Sequence, residues 1–223
     1  MKLTEISETK SISIDIILLL VSNDRDIFSD ALVQFGVVEF FERNISDIEF
    51  SKRIAFWISN LLHWTYPYQY LCNMTDSECP SELPLIFVKM VKALEKHDPS
   101  FMIEIMICLQ ILIKKQTNYT FVKYLLDEDI MQRLKALLEL HNYPLEVKVE
   151  VIVTLDSLFK ADKKFGNTEH GALVQFDMIE GFDVLESLTT HHNEEFRDFI
   201  KIKLEEYRFK PKSDTIWNEI DEL

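Results

Sequence analysis

Apolar residues recur at helical spacing along almost the whole chain. Near the C-terminal end, Met178, Phe182, Leu185 and Leu188 lie about one turn apart. Beyond a polar turn, Phe196, Phe199, Ile200, Leu204 and Tyr207 repeat the pattern. The intervening THHNEE offers side chains that cap the second helix, with Glu194 and Glu195 near its positive end. Neither helix can bury its apolar stripe alone, so each requires a neighbour. Upstream, the same periodicity predicts helices over 11–21, 27–45 (interrupted at Gly36), 50–64, 83–97 and 101–115. Two further pieces are predicted within 120–141, and one more over 145–162. The 147–153 stretch VKVEVIV alternates as a strand would. It also continues a helical stripe, and it is read as helix. Irregular sequence fills 65–82 and 163–171, and a polar tail follows from 211.

The long helices fall into register. When Asn60, Gln110, Asp156 and Glu205 are stacked, the successive spacings are 50, 46 and 49 residues, and each helix follows a polar turn. This period slightly exceeds that of helical repeats of roughly 40–47 residues, the first excess being explained by the 65–82 insertion. The expected architecture is an all-α, right-handed α-solenoid of about four to five armadillo-type repeats over residues 1–210. One continuous core would lie beneath a concave face lined by the third helix of each repeat. Register places Asn60, Gln110 and Asp156 on that face as polar residues in apolar helices. Phe56 and Trp57 stand beside Asn60 in the same helix. Such residues either line a partner groove or find internal partners.

Composition narrows the function. The sequence has only four glycines and six prolines in 223 residues, which argues against a phosphate-cradling loop and against an all-β fold. A net charge of −14 disfavours nucleic acid and favours a basic protein or peptide. The apolar run Ile16–Val21 is too short to span a bilayer and lacks the features of a secretory signal, so the expected location is cytoplasm or nucleus. The three cysteines, Cys72, Cys79 and Cys108, fit a reducing compartment and have no zinc spacing; no cofactor is expected. No nucleophile, metalloprotease or nucleotide motif occurs. Adjacent His191 and His192 are expected to face different ways on their turn and to serve in capping. Asp127, Glu128 and Asp129 are expected to cap the helix starting near Ile130, or else to recruit a basic partner.

Three stretches resemble the importin-alpha family of armadillo-repeat adaptors. GFDVLESLTTHHNEEFRDFIKIKLEEYRF resembles its final repeats, FGVVEFF its helix junctions and AFWISNLL its Trp-Ala-Leu-Ser-Asn helix. The resemblance implies a protein that binds basic nuclear-localisation peptides and contacts nuclear transport receptors. In that family a Trp and Asn ladder holds the peptide: Asn fixes its backbone and Trp packs the stems of Lys and Arg. Here Asn60 matches, Phe56 replaces Trp, and the next repeats carry Met106 with Gln110, Ile152 with Asp156, and Lys201 with Glu205. No stretch of the sequence resembles the family's basic N-terminal arm. The departures leave two readings open: a reduced importin-like adaptor in nuclear protein import, or an armadillo scaffold in another complex without signal binding.

Overall fold

The computed structural model describes residues 85–94, 98–116, 119–167 and 170–208, together with Arg43 and Phe56. The described residues hold helices and no strand. In chain order the helices are α1 (Leu85–Ala93), α2 (Pro99–Lys115), α3 (Thr120–Asp127), α4 (Ile130–Glu139), α5 (Leu145–Phe165), α6 (Ala172–Met178), α7 (Gly181–Leu188) and α8 (Glu194–Arg208). They form two complete units of two short helices and one long one, α3–α5 and α6–α8, preceded by α1 and the long α2. The VKVEVIV stretch lies within α5, so the repeat outweighed its strand-like alternation. The readings at Gly36, Trp57, Asn60, Cys72 and Cys79, the 65–82 loop and the 211–223 tail fall outside the described residues.

Local chemistry sets the helix ends. Asp98 caps α2, its Oδ1 accepting from the backbone N–H groups of Ser100 at 2.7 Å and Phe101 at 3.2 Å, with Pro99 next in the first turn. Asn193 caps α8 by accepting from the Phe196 N–H at 2.9 Å, and His191 Nδ1 accepts from the Asn193 N–H at 3.2 Å. Capping by the THHNEE turn is therefore observed, although His191 and His192 stack with ring centroids 4.1 Å apart and do not diverge. The α5 helix ends at Gly166, whose φ of +69° suits a residue without a Cβ.

The two short-helix junctions share an unusual backbone. Asp129 before α4 (φ +58°) and Glu180 before α7 (φ +60°) both adopt the left-handed conformation. Asp129 makes no side-chain cap, which corrects the capping expected of the acidic triplet. Glu128 instead pairs with Lys92 at 3.2 Å, and its carbonyl accepts from Arg133 Nε at 3.3 Å. Gly181 follows Glu180 because the chain passes close to Phe176, where an added Cβ would lie 2.4 Å from the ring.

One apolar core runs through both units. Phe101, Met102, Ile105, Met106 and Leu109 of α2 are closed to solvent, as are Val147, Val151, Ile152, Leu155 and Leu158 of α5. The core continues through Phe176 and Leu185 to Phe196 and Ile200 of α8. Stacking units in this way buries a stripe that no unit could cover by itself.

Candidate functional site

The long helices lie side by side and run parallel. Between α2 and α5, Gln110 meets Glu150 and Thr154 and the Gln116 carbonyl meets Lys164, so partner numbers rise together; just past α2, Tyr119 meets Asp162. Between α5 and α8, Asp156 meets Lys203 and Tyr207, while Phe159 and Tyr207 pack edge-to-face at 4.9 Å. Gln110 donates to Thr154 Oγ1 at 3.1 Å, and Asp156 accepts from Lys203 Nζ at 3.3 Å. Thr154 precedes Asp156 by two residues, and Lys203 precedes Glu205 by two. The same step is thus taken twice, and Gln110, Asp156 and Glu205 occupy equivalent places.

With α4 and α6 packed against it and α2 and α8 on its flanks, α5 keeps one face open, and α2 and α8 carry equivalent positions. On α2 that face carries Ile103, Glu104, Ile107, Ile111 and Lys114; on α5 it carries Val149, Glu150, Val153, Asp156 and Lys160. On α8, where no further long helix is described, Asp198, Lys201, Ile202 and Glu205 are exposed.

The residues expected to line this face divide. Met106 and Ile152 are wholly buried in the core, which excludes them from direct contact with a partner. At roughly 100° per residue, a step of four back from the register position turns roughly 40° one way, whereas a step of three back turns roughly 60° the other. Gln110 lies at the edge of the open face, turned toward α5. Going back four enters the core, and going back three reaches the centre at Ile107. The central column is therefore Ile107, Val153 and Ile202, and sequence register makes Trp57 their counterpart. Phe56 is exposed, and Trp57 and Asn60 are not described.

Gln110 and Asp156 have internal partners. Gln110 is 7% exposed and also donates to Glu150 Oε2 at 2.9 Å. Asp156 accepts from Lys160 Nζ at 2.7 Å besides Lys203 and Tyr207. Burial alone would push the Lys203 ammonium down, but Glu206 and Asp156 outweigh it and hold the pKa above its ordinary value. Burial, reinforced by the Asp156 and Glu206 charges, pushes the Tyr207 hydroxyl up.

Two buried polar groups were not legible from sequence. Asp162, 5% exposed near the end of α5, accepts from the Tyr119 hydroxyl and from the Leu173 N–H at 2.9 Å, tying α6 to the preceding long helix. Its burial raises the carboxyl pKa, against the opposing pull of these hydrogen bonds. Lys148, 4% exposed, donates to the Leu138 carbonyl at 3.0 Å, satisfying an orphan acceptor at the end of α4, and burial lowers its pKa. Cys108 is buried, and desolvation first, then Glu104, drives its thiol well above the ordinary value, opposite to the shift an activated nucleophile needs. Among the described residues, no three His, Cys, Asp or Glu side chains converge as a metal site, and no helix is long and apolar enough to cross a membrane.

The architecture is that of armadillo-type α-solenoids. A computationally designed armadillo repeat protein for modular peptide recognition superimposes with a TM-score of 0.69 at 15% identity, covering 91% of this chain and 77% of the other. A second designed armadillo repeat protein, in complex with the peptide (KR)4, gives 0.56 at 13% identity, covering 90% and 93%. A third gives 0.51 at 12% identity, covering 91% and 94%. No family model and no curated relative matches the chain.

Proposed function

We propose that the chain is a non-catalytic binding scaffold that takes an extended segment of a protein partner across the open faces of α2, α5 and α8. The observation carrying this reading is the repeated interhelix step, Gln110 to Thr154 and Asp156 to Lys203, which brings three parallel helices into register. An extended chain crossing them meets equivalent positions at each helix. One structural neighbour is a designed armadillo protein in complex with a Lys/Arg peptide, which supports the same use of the fold here.

Two finer readings divide this proposal. An importin-alpha-like adaptor would bind basic localisation signals, engage transport receptors and work in cytoplasm and nucleus. A scaffold subunit of another complex would bind a different segment. The internal bonds of Gln110 and Asp156, and the burial of Met106 and Ile152 where the ladder would need Trp, favour the scaffold.

The test is selection of binders from a random decapeptide display library, with counter-selection on Val153→Arg and Ile202→Arg. Both positions reach solvent, and circular dichroism checks that each variant is folded. Recovery of peptides that bind the wild type and neither variant supports the scaffold. A selection giving only variant-insensitive binders overturns it. Titration with a labelled (KR)4 peptide then separates the finer readings. Binding that persists at physiological salt and is lost in Val153→Arg favours the adaptor, whereas binding confined to low salt reports only the net charge of −14.

A further inference from the structure

We infer that the partner segment is anchored by aliphatic side chains interleaved with Lys or Arg, seated on a hydrophobic track that crosses the three long helices. This deepens the scaffold reading and rests on it. The track is the column Ile107, Val153 and Ile202. Ile107 and Val153 are half-buried, and Ile202 is 55% exposed, one of the few large apolar side chains of the described residues left so open. A scattered exposed isoleucine needs no explanation, but these three recur at one register position on three adjacent parallel helices.

Charge defines what can lie on the track. Glu104 and Glu150 flank it on one side, and on the other runs the column from Gln110 through Asp156, already paired with Lys160 and Lys203, to Glu205. Every carboxylate has several acceptor sites, so those already bonded within the protein can still receive a partner's cation. An apolar floor with Glu104 and Glu150 along one side and Glu205 at the far end of the other suits a segment that sets aliphatic side chains down and directs Lys or Arg sideways. Closely packed helices such as α2 and α5 stand about 8–10 Å apart and an extended chain advances about 3.3 Å per residue, so anchors at every second or third residue match that spacing. A purely Lys/Arg segment would leave the floor unfilled, and an acidic segment would be repelled by Glu104, Glu150 and Glu205.

The experiment compares two labelled decapeptides of equal charge, one alternating Leu with Lys and one alternating Ser with Lys, by fluorescence anisotropy at physiological salt. The full chain and its Val153→Ser/Ile202→Ser variant are titrated with each, with melting curves confirming the fold. The expected result is that the Leu–Lys peptide binds at least tenfold tighter than the Ser–Lys peptide. The variant should lose about tenfold for the first and less than twofold for the second. Equal binding of both peptides overturns the aliphatic track while leaving the scaffold standing. A Leu–Lys preference unchanged in the variant places the anchor elsewhere and also overturns it. Failure of both peptides to bind, or a concentration-dependent dimer that only the variant abolishes, removes the track as a partner site, the second outcome assigning it to another copy of the chain.

Discussion

The two seams between long helices solve one geometric problem with different chemistry. Where α2 meets α5, the crossing contacts include neutral or buried polar groups: the Gln110 amide, the Thr154 hydroxyl and the Tyr119–Asp162 pair. Where α5 meets α8, an aromatic cluster of Phe159, Phe182 and Tyr207 lies beneath a charged network of Asp156, Lys160, Lys203 and Glu206 at the surface. The packing differs as well: the backbones of α2 and α5 approach closely, whereas α5 and α8 meet mainly through long side chains. What the chemistry changes is the response: the first seam senses loss of hydrogen-bond partners, and the second senses loss of volume and, weakly, salt.

The largest expected effect is at the second seam. Tyr207 is 7% exposed and contacts Phe159 at 4.9 Å and Phe182 at 6.3 Å between centroids. Tyr207→Ala should cost about 3 kcal/mol, by the usual scale for deleting a buried aromatic ring. Hydrogen exchange should show protection lost first over 194–208, because α8 gains much of its burial from this cluster. If the loss instead spreads evenly over α2 and α5, the seams are not separable units.

At the first seam, Gln110→Ala should cost about 1–2 kcal/mol in urea unfolding, since it removes a buried donor from Thr154 and Glu150. The penalty is moderated because Thr154 Oγ1 already donates to the Glu150 carbonyl at 2.8 Å and Glu150 is only half-buried. Gln110→Leu keeps more of the volume and should cost less than Gln110→Ala. Equal penalties would assign the effect to the lost bonds alone.

Asp162 gives the first seam a pH dependence of its own. Burial holds its native carboxyl pKa above the ordinary value, so the folded chain binds this proton more tightly than the unfolded chain does. The contribution is therefore fully present below the unfolded pKa of about 4 and is lost as pH rises through the native value. The margin of the wild type over Asp162→Asn should be widest near pH 4 and narrow toward neutrality. It should change by about 1.4 kcal/mol for each pH unit separating the native and unfolded midpoints. Urea midpoints measured across that range check the slope, and a margin that widened with pH would contradict the assignment.

Much of the fold was legible because the periodic signal was long. The α5 helix includes the strand-like VKVEVIV because the helical repeat spans far more residues than that seven-residue alternation. The register of Gln110, Asp156 and Glu205 also survives, in the repeated step to Thr154 and Lys203. The expected step of four residues reaches Met106 and Ile152, which are buried. Residues three and four before a register site diverge by a full helical step, and sequence alone does not say which of the two turns inward. Apolar Met106 and Ile152 turn into the core, while apolar Ile107 and Val153 remain on the open face. Asp162 and Lys148 escaped notice for a different reason. Each caps a helix end distant in sequence, and nothing in KADKK or EVKVE marks one charged residue as buried and its neighbours as solvated.

The smallest effect should come from the charged part of the second seam. Asp156 and Lys203 are 13% and 16% exposed as side chains and 3.3 Å apart, which is more sheltered than an ordinary surface pair but not dry. Asp156 also holds Lys160, and Lys203 also holds Glu206, so either partner alone leaves the other with a substitute. A double-mutant cycle on Asp156→Asn and Lys203→Met should therefore return a coupling of about 0.5–1 kcal/mol at low salt, reduced further at high salt. The Gln110–Thr154 cycle should show no such salt dependence, because neither group is charged. If both cycles responded alike to salt, the contrast between a polar seam and a charged one would have no energetic content, and the two would differ only in their aromatic packing.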